Sequence, residues 1–137
     1  MAPDIIACAR KCLGTAFHHQ GRAPGVGLDC VGLVLWVGQA LGLIDYEITN
    51  YPRLPQPERL FAHADAAGLR HIPMERATGG DIACLAFMRD PQHVGLLSEG
   101  GRGMIHACAR VGRVIEHRLD THWRRRIVAC FRYPSGE

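Results

Sequence analysis

A chain of 137 residues, 47% hydrophobic and 21% charged, has the size and composition of one soluble globular domain with one proper core. No apolar run can cross a bilayer, because the longest candidate, Val31–Val37, falls far short of the roughly 20 residues a spanning helix needs. The formal charge of +3 is too mild to mark a nucleic-acid-binding domain, and the run Arg124-Arg125-Arg126 beside Trp123 is assigned to a solvated face, not to a stacking platform.

Residues Met1–Lys11 lack a basic segment followed by an apolar stretch, so no secretory signal is expected. A protein made in the cytoplasm on these terms, and acting outside it, would be released by lysis or carried on a larger particle. The spacing predicts a first amphipathic helix over Pro3–Leu13, with Ile5, Ile6, Ala9 and Leu13 on one face. A glycine-rich loop from Gly14 to Leu28 follows. Long loops inside a small domain are usually functional, so this one is expected to wall a site. Asp29 is a suitable N-cap, which places Cys30 in the first turn of a helix running to about Leu41 and stopping at Gly42. That helix is apolar nearly all round and is expected to be buried. Tyr51–Pro57 is an extended proline-containing connector, and Glu58–Ala67 a third helix ended by Gly68.

From Gly80 onward the pattern changes to short strands, predicted at 81–87, 93–98, 103–107, 111–116 and 127–133, with a helical turn near His122–Arg125. Helices first and strands afterwards indicate an α+β domain spanning 1–137, its helices packed on an antiparallel sheet of about five strands. Glu99–Gly103 has hairpin composition, so the strands carrying His93 and His106 are expected to be neighbours with both imidazoles on one face.

A cysteine in the first turn of a helix meets free backbone N–H groups and the positive end of the helix dipole, which favour the nucleophilic thiolate. Two histidines on a neighbouring sheet supply a general base and a group to orient it. Cys30, His93 and His106 are therefore the catalytic candidates. His117 lies in the following strand as a competitor. The other cysteines, Cys8, Cys12, Cys84, Cys108 and Cys130, are expected to be free thiols, as befits an unsecreted chain with adequate apolar content. No His-x-x-x-His, His-Glu-x-x-His or Cys-x-x-Cys spacing occurs, so neither a metal nor any other cofactor is expected.

Leu28-Asp29-Cys30-Val31-Gly32-Leu33, Gly80-Asp81-Ile82, His93-Val94-Gly95-Leu96 and Ile105-His106-Ala107 follow one another in the order and spacing of the NlpC-type cell-wall peptidase superfamily, which this chain resembles over nearly its whole length. The resemblance implies a papain-like fold with the nucleophile at a helix N-terminus, and a cysteine endopeptidase that cuts peptidoglycan stem peptides through a thioester, most often between D-γ-glutamate and a diamino acid. His117 fits the superfamily's spacing poorly, and His106 stands where its third catalytic residue lies. Gly14–Gly21 and the compact form are most similar to the phage cell-wall and tail-associated branch, whose partners are phage tail proteins. Phe17 departs from the tyrosine usual at its position, which leaves His19, Gln20 or backbone N–H groups to meet the oxyanion. Phe17, His19, Gln20 and Asp29 are accordingly the substrate-binding or oxyanion candidates, and Arg22 or Arg53 is a basic group for a substrate carboxylate. The departure at Phe17 also leaves open a tail-tip binding module with little hydrolysis.

Overall fold

The computed structural model describes residues 1–48, 51, 57–87 and 90–134. Much of the expected connector, 52–56, lies outside the described residues, as does Arg53, a candidate partner for a substrate carboxylate.

Helix α1 covers Ala2–Arg10 and ends three residues earlier than its periodicity suggests. Ile5, Ile6 and Ala9 face the core as expected, but Leu13 lies beyond the helix and is 42% exposed; Cys12, fully buried, takes the inward position. The loop that follows folds on itself as a small hairpin, β1 (Arg22–Ala23) against β2 (Gly27–Leu28). Helix α2 covers Cys30–Ala40 and buries Cys30–Leu35 together with Val37 and Gly38, so both faces of it serve as core. Burying each such Leu or Val side chain is worth about 1.5–3 kcal/mol. Tyr133 pins the helix by donating its buried hydroxyl to the Val34 carbonyl at 2.6 Å. Helix α3 covers Pro57–Ala66.

The remaining strands are β3 (Arg70–Ile72), β4 (Ile82–Phe87), β5 (Asp90–Leu97), β6 (Gly103–Cys108), β7 (Arg113–Arg118) and β8 (Ile127–Arg132). They form one antiparallel sheet in the order β3-β8-β4-β5-β6-β7. Among the described residues the sheet has six strands, where about five were expected. The added one, Arg70-His71-Ile72, is short, half polar and stopped by Pro73, the form an edge strand takes when it must not recruit another chain. Helix α4 (Thr121–Arg124) is the expected turn, capped by Asp120, which accepts from the Trp123 N–H at 3.0 Å.

Two clusters divide the apolar side chains. The larger lies between the helices and one face of the sheet, where Ile82, Cys84, Val94, Leu96 and Ile105 meet α1 and α2. The smaller, with Ala83, Leu85, Leu97, Met104 and Leu119, lies on the other face under Trp123. Asp81 anchors the start of β4 to β8 through two hydrogen bonds from Arg132, at 2.8 and 2.9 Å.

Candidate active site

The approach to Cys30 is organised by Asp29. Its side chain is almost fully buried. Oδ1 accepts from the Gly32 N–H at 2.7 Å and so caps α2, while Oδ2 accepts from the Gln20 N–H at 2.7 Å and from the Tyr51 hydroxyl at 2.5 Å. Arg22 adds its charge at 3.4 Å and also donates to the Tyr51 hydroxyl at 2.9 Å. Gly32 is required in this corner: a Cβ there would strike the Gly21 carbonyl oxygen and stand 2.9 Å from both Arg22 Nη1 and Asp29 Oδ1. The Asp-Cys-x-Gly pattern is thus a cap, a functional group and a space for the returning loop.

Asp29 and Gln20 are therefore occupied in tying the loop to the helix. The Gln20 side chain donates to the Tyr51 carbonyl at 3.0 Å, and its backbone sits at φ 62°, a left-handed value held by the bond to Asp29. His19 packs edge-on against Tyr51, ring centres 5.5 Å apart. Of the four residues expected to meet substrate or oxyanion, Phe17 is the one that lines the cleft containing Cys30.

That cleft, of about 430 Å³, is lined by Cys30, His93 and His106, with Phe17 on one side and Trp123 and Arg126 on another. It opens where two strands part. β5 pairs with β6 at Leu96–Ile105 and Leu97–Met104; before these positions β5 stays with β4, and beyond them β6 stays with β7. The Cys30 sulfur lies near the parting strand, close enough for the Val94 N–H, one residue after His93, to favour its thiolate.

The register explains how the histidines meet. Leu97 faces Met104, and Met104 faces His117. Steps of two residues then put His93 and Gly95 on the same sheet face as His106 and His117, each histidine diagonal to the next. His93 Nε2 and His106 Nδ1 are 2.7 Å apart, and His106 Nε2 and His117 Nε2 are 2.8 Å apart. His117 Nδ1 is 2.9 Å from the Arg118 carbonyl oxygen. Trp123 covers the row, its ring 5.3 Å from that of His106 and 4.6 Å from that of His117. Gly95 makes room for it, since a Cβ there would stand 3.0 Å from the His106 Cβ and closer still to Met104.

Burial governs the charges. It pushes the Cys30 thiol up to about 12, helped by the negative charge of Asp29; the N–H groups of Val94, Val31 and Cys30 itself pull the other way and lose. Burial holds His93 down to about 4 and His106 to about 3, and the repulsion that would arise between neighbouring imidazoliums in the row acts in the same direction. The resting site is a neutral thiol beside neutral imidazoles. This corrects the expectation of a standing thiolate: the helix N-terminus acts in the expected direction, and desolvation outweighs it. All six cysteines carry free thiols, and burial pushes Cys8, Cys12, Cys84 and Cys130 upward as well.

Three residues take parts other than those expected of them: Tyr51 was not singled out, Arg22 was expected at a substrate carboxylate, and His117 stood only as a competitor to His106. Tyr51 and Arg22 hold Asp29, and nothing local in the sequence marks the 22-residue separation between Asp29 and Tyr51. His117 joins the histidine row although its spacing fits the motif poorly; the alternation along predicted strands offered a signal, but it needed the correct register.

The family pattern described as the NlpC/P60 family matches residues 14–132. The probable endopeptidase Rv2190c of Mycobacterium tuberculosis is 29% identical over 103 residues, which cover 75% of this chain and 22% of that protein. The chain thus spans about a fifth of the length of the curated relatives it matches. Among solved structures, the NlpC/p60 domain of the peptidoglycan hydrolase SagA is 25% identical with a TM-score of 0.62, covering 86% of this chain and 89% of that one. An NlpC/P60 family protein from Bacillus cereus has a TM-score of 0.72 at 20% identity, over 98% of this chain and 41% of that one. RipD from Mycobacterium tuberculosis, described as a non-catalytic domain adapted to binding peptidoglycan, shares the fold with a TM-score of 0.60 at 17% identity, over 95% of this chain and 94% of that one.

Proposed function

This chain belongs to the NlpC/P60 family, and from that premise we propose that it is a cysteine endopeptidase of peptidoglycan stem peptides. The observation that carries the proposal is the meeting of Cys30 and His93 in one cleft, with His93 held from behind by His106 at 2.7 Å.

In the proposed reaction the neutral pair acts in concert. As the Cys30 sulfur attacks the amide carbon, its proton passes to His93. The tetrahedral oxyanion is met by backbone N–H groups at the start of α2, and Phe17 contributes an apolar wall without a hydroxyl. The imidazolium of His93 then gives its proton to the leaving amine, and a thioester remains on Cys30. Water attacks the thioester, His93 takes a proton from that water, and the carboxylate product leaves as the thiol reforms. His106 orients His93 throughout.

The bond we assign is that between D-γ-glutamate and the diamino acid, supported by the family resemblance of the four motifs. The carrier we assign is a phage tail or tail-like particle bringing the domain to the cell wall, supported by the resemblance of Gly14–Gly21. Muropeptide mass spectrometry after incubation with purified sacculi tests the activity and the bond together. Wild type should release fragments ending at D-glutamate, and Cys30→Ala should release none while keeping the wild-type melting temperature. Binding of sacculi without any cleavage by the wild type would assign the chain to the non-hydrolytic alternative that Phe17 and the likeness to RipD favour. Cleavage of a different acyl bond would make it an amidase or acyltransferase using the same thioester.

A further inference from the structure

The row of histidines runs through the sheet from the cleft to a separate surface depression, where His117 is accompanied by Ser98, Arg102, Glu116 and Arg118. Its far end is fixed by a group that can only accept. The Arg118 carbonyl oxygen takes a hydrogen bond from His117 Nδ1 at 2.9 Å, so that nitrogen carries a proton. In neutral His117, Nε2 is then bare and must accept, which requires the proton on His106 Nε2. Neutral His106 consequently has a bare Nδ1, which accepts from the Nε2–H of His93. One assignment of protons satisfies the entire row, and it leaves His93 without a proton on Nδ1.

We propose that His117 is a positioning residue: acting through His106, it fixes His93 in the tautomer whose Nδ1 is bare, the form a base must have to take the thiol proton. The charged groups around His117 are compatible with this. Glu116, on the same strand, is engaged by Arg10 at 2.8 and 3.0 Å, and Arg102 and Arg118 are cations that carry no side-chain acceptor to compete for the His117 ring N–H. Trp123 from α4 covers the imidazole and contributes no competing acceptor on its ring face. The imidazoles meet nitrogen to nitrogen, so the row has no common point at which they would hold a metal ion.

The proposal rests on His93 being the base, and its test is chosen to separate the two ideas. In protein labelled with ¹⁵N-histidine, the NMR pattern of His93 at pH 7 should show a proton on Nε2 and none on Nδ1. His117→Gln can still accept from His106 through its amide oxygen; it should keep that pattern and recover at least about a third of wild-type kcat. His117→Lys can only donate, which forces His106 and then His93 into the opposite tautomer; kcat should fall by about a thousandfold or more, with KM little changed, as a wrong tautomer costs in other hydrolytic triads. His117→Leu should leave His93 in mixed tautomers and lower kcat by about tenfold. If the His93 pattern is the same in all four proteins, or if Leu is tolerated as well as Gln, His117 is packing for Trp123 and the proposal is overturned. The NMR measurement reads the tautomer whether or not the wild type cleaves a stem peptide, so failure of the relay and failure of the peptidase reading appear as different results.

Discussion

Gly32 and Asp29 show how much of the site is set by single residues. Asp29 closes a helix end and a loop with one carboxylate, and Gly32 lets the loop's Gly21 carbonyl come down onto the helix. Both facts are local, and for that reason Asp29 as N-cap and Cys30 in the first turn were legible in the sequence. The direction of the carboxylate was not. Gln20, His19 and Asp29 were expected to face substrate, and they face Tyr51 and the helix because the β1–β2 hairpin turns the loop inward. Gly32→Ala should force that loop off the helix and destabilise the protein by about 1–3 kcal/mol, read as a lower urea midpoint at unchanged slope. An unchanged midpoint would mean that the loop moves away freely and that the tether at Asp29 is weak.

At the scale of elements, the chemistry depends on register. The hairpin composition of Glu99–Gly103 was enough to bring the strands of His93 and His106 together, and the two imidazoles meet Nε2 to Nδ1 at 2.7 Å with their planes nearly perpendicular. His117 was illegible for a specific reason. The seventh strand was expected from Val111 and begins at Arg113, and an uncertainty of that size leaves open which residues face which. The short edge strand Arg70–Ile72 was missed because polar residues and a following proline hide an edge strand from pattern recognition. Gly95 links element to site, since the space of its missing side chain is taken by the Met104 thioether and, at 3.0 Å, by the His106 Cβ. Gly95→Ala should push the His106 imidazole away from His93 and lower kcat by about tenfold or more with a smaller change in KM, because the base loses its orientation and the cleft keeps its shape. Equal loss in KM and none in kcat would place the role of Gly95 in binding.

For the whole molecule, the fold is that of the NlpC/P60 family, and the family's fold supports both hydrolysis and plain binding, as RipD shows. What argues for hydrolysis is geometric: Cys30 and His93 share one cleft, and His106 Nδ1 stands 2.7 Å behind His93 Nε2. Burial keeps His93 near 4 and His106 near 3, against about 6.5 in an unfolded chain. An imidazole held that low is unprotonated through the whole neutral range and open to take a proton. The acid limb of kcat/KM should therefore fall at about pH 4 and not near 6.5, as the His93 shift requires. The same shifts couple to folding. The folded-state values are depressed, so the unfolded chain binds protons first; stability is complete above about pH 6.5 and is lost as pH falls toward 4. Thermal melts between pH 7 and pH 4 should show that decline, and Cys30→Ala should share it, because it comes from the imidazoles and not from the thiol.

The most direct measurement is the intact mass of the protein during turnover of a stem peptide. The account predicts that wild type, quenched in acid within the first turnovers, carries an added mass equal to the N-terminal product less one water, bound at Cys30 as a thioester and released by hydroxylamine. Cys30→Ala should carry none, and His93→Ala should neither form it nor cleave. Cleavage by the wild type without any adduct, together with undiminished cleavage by Cys30→Ala, would contradict the assignment of this sulfur as the nucleophile.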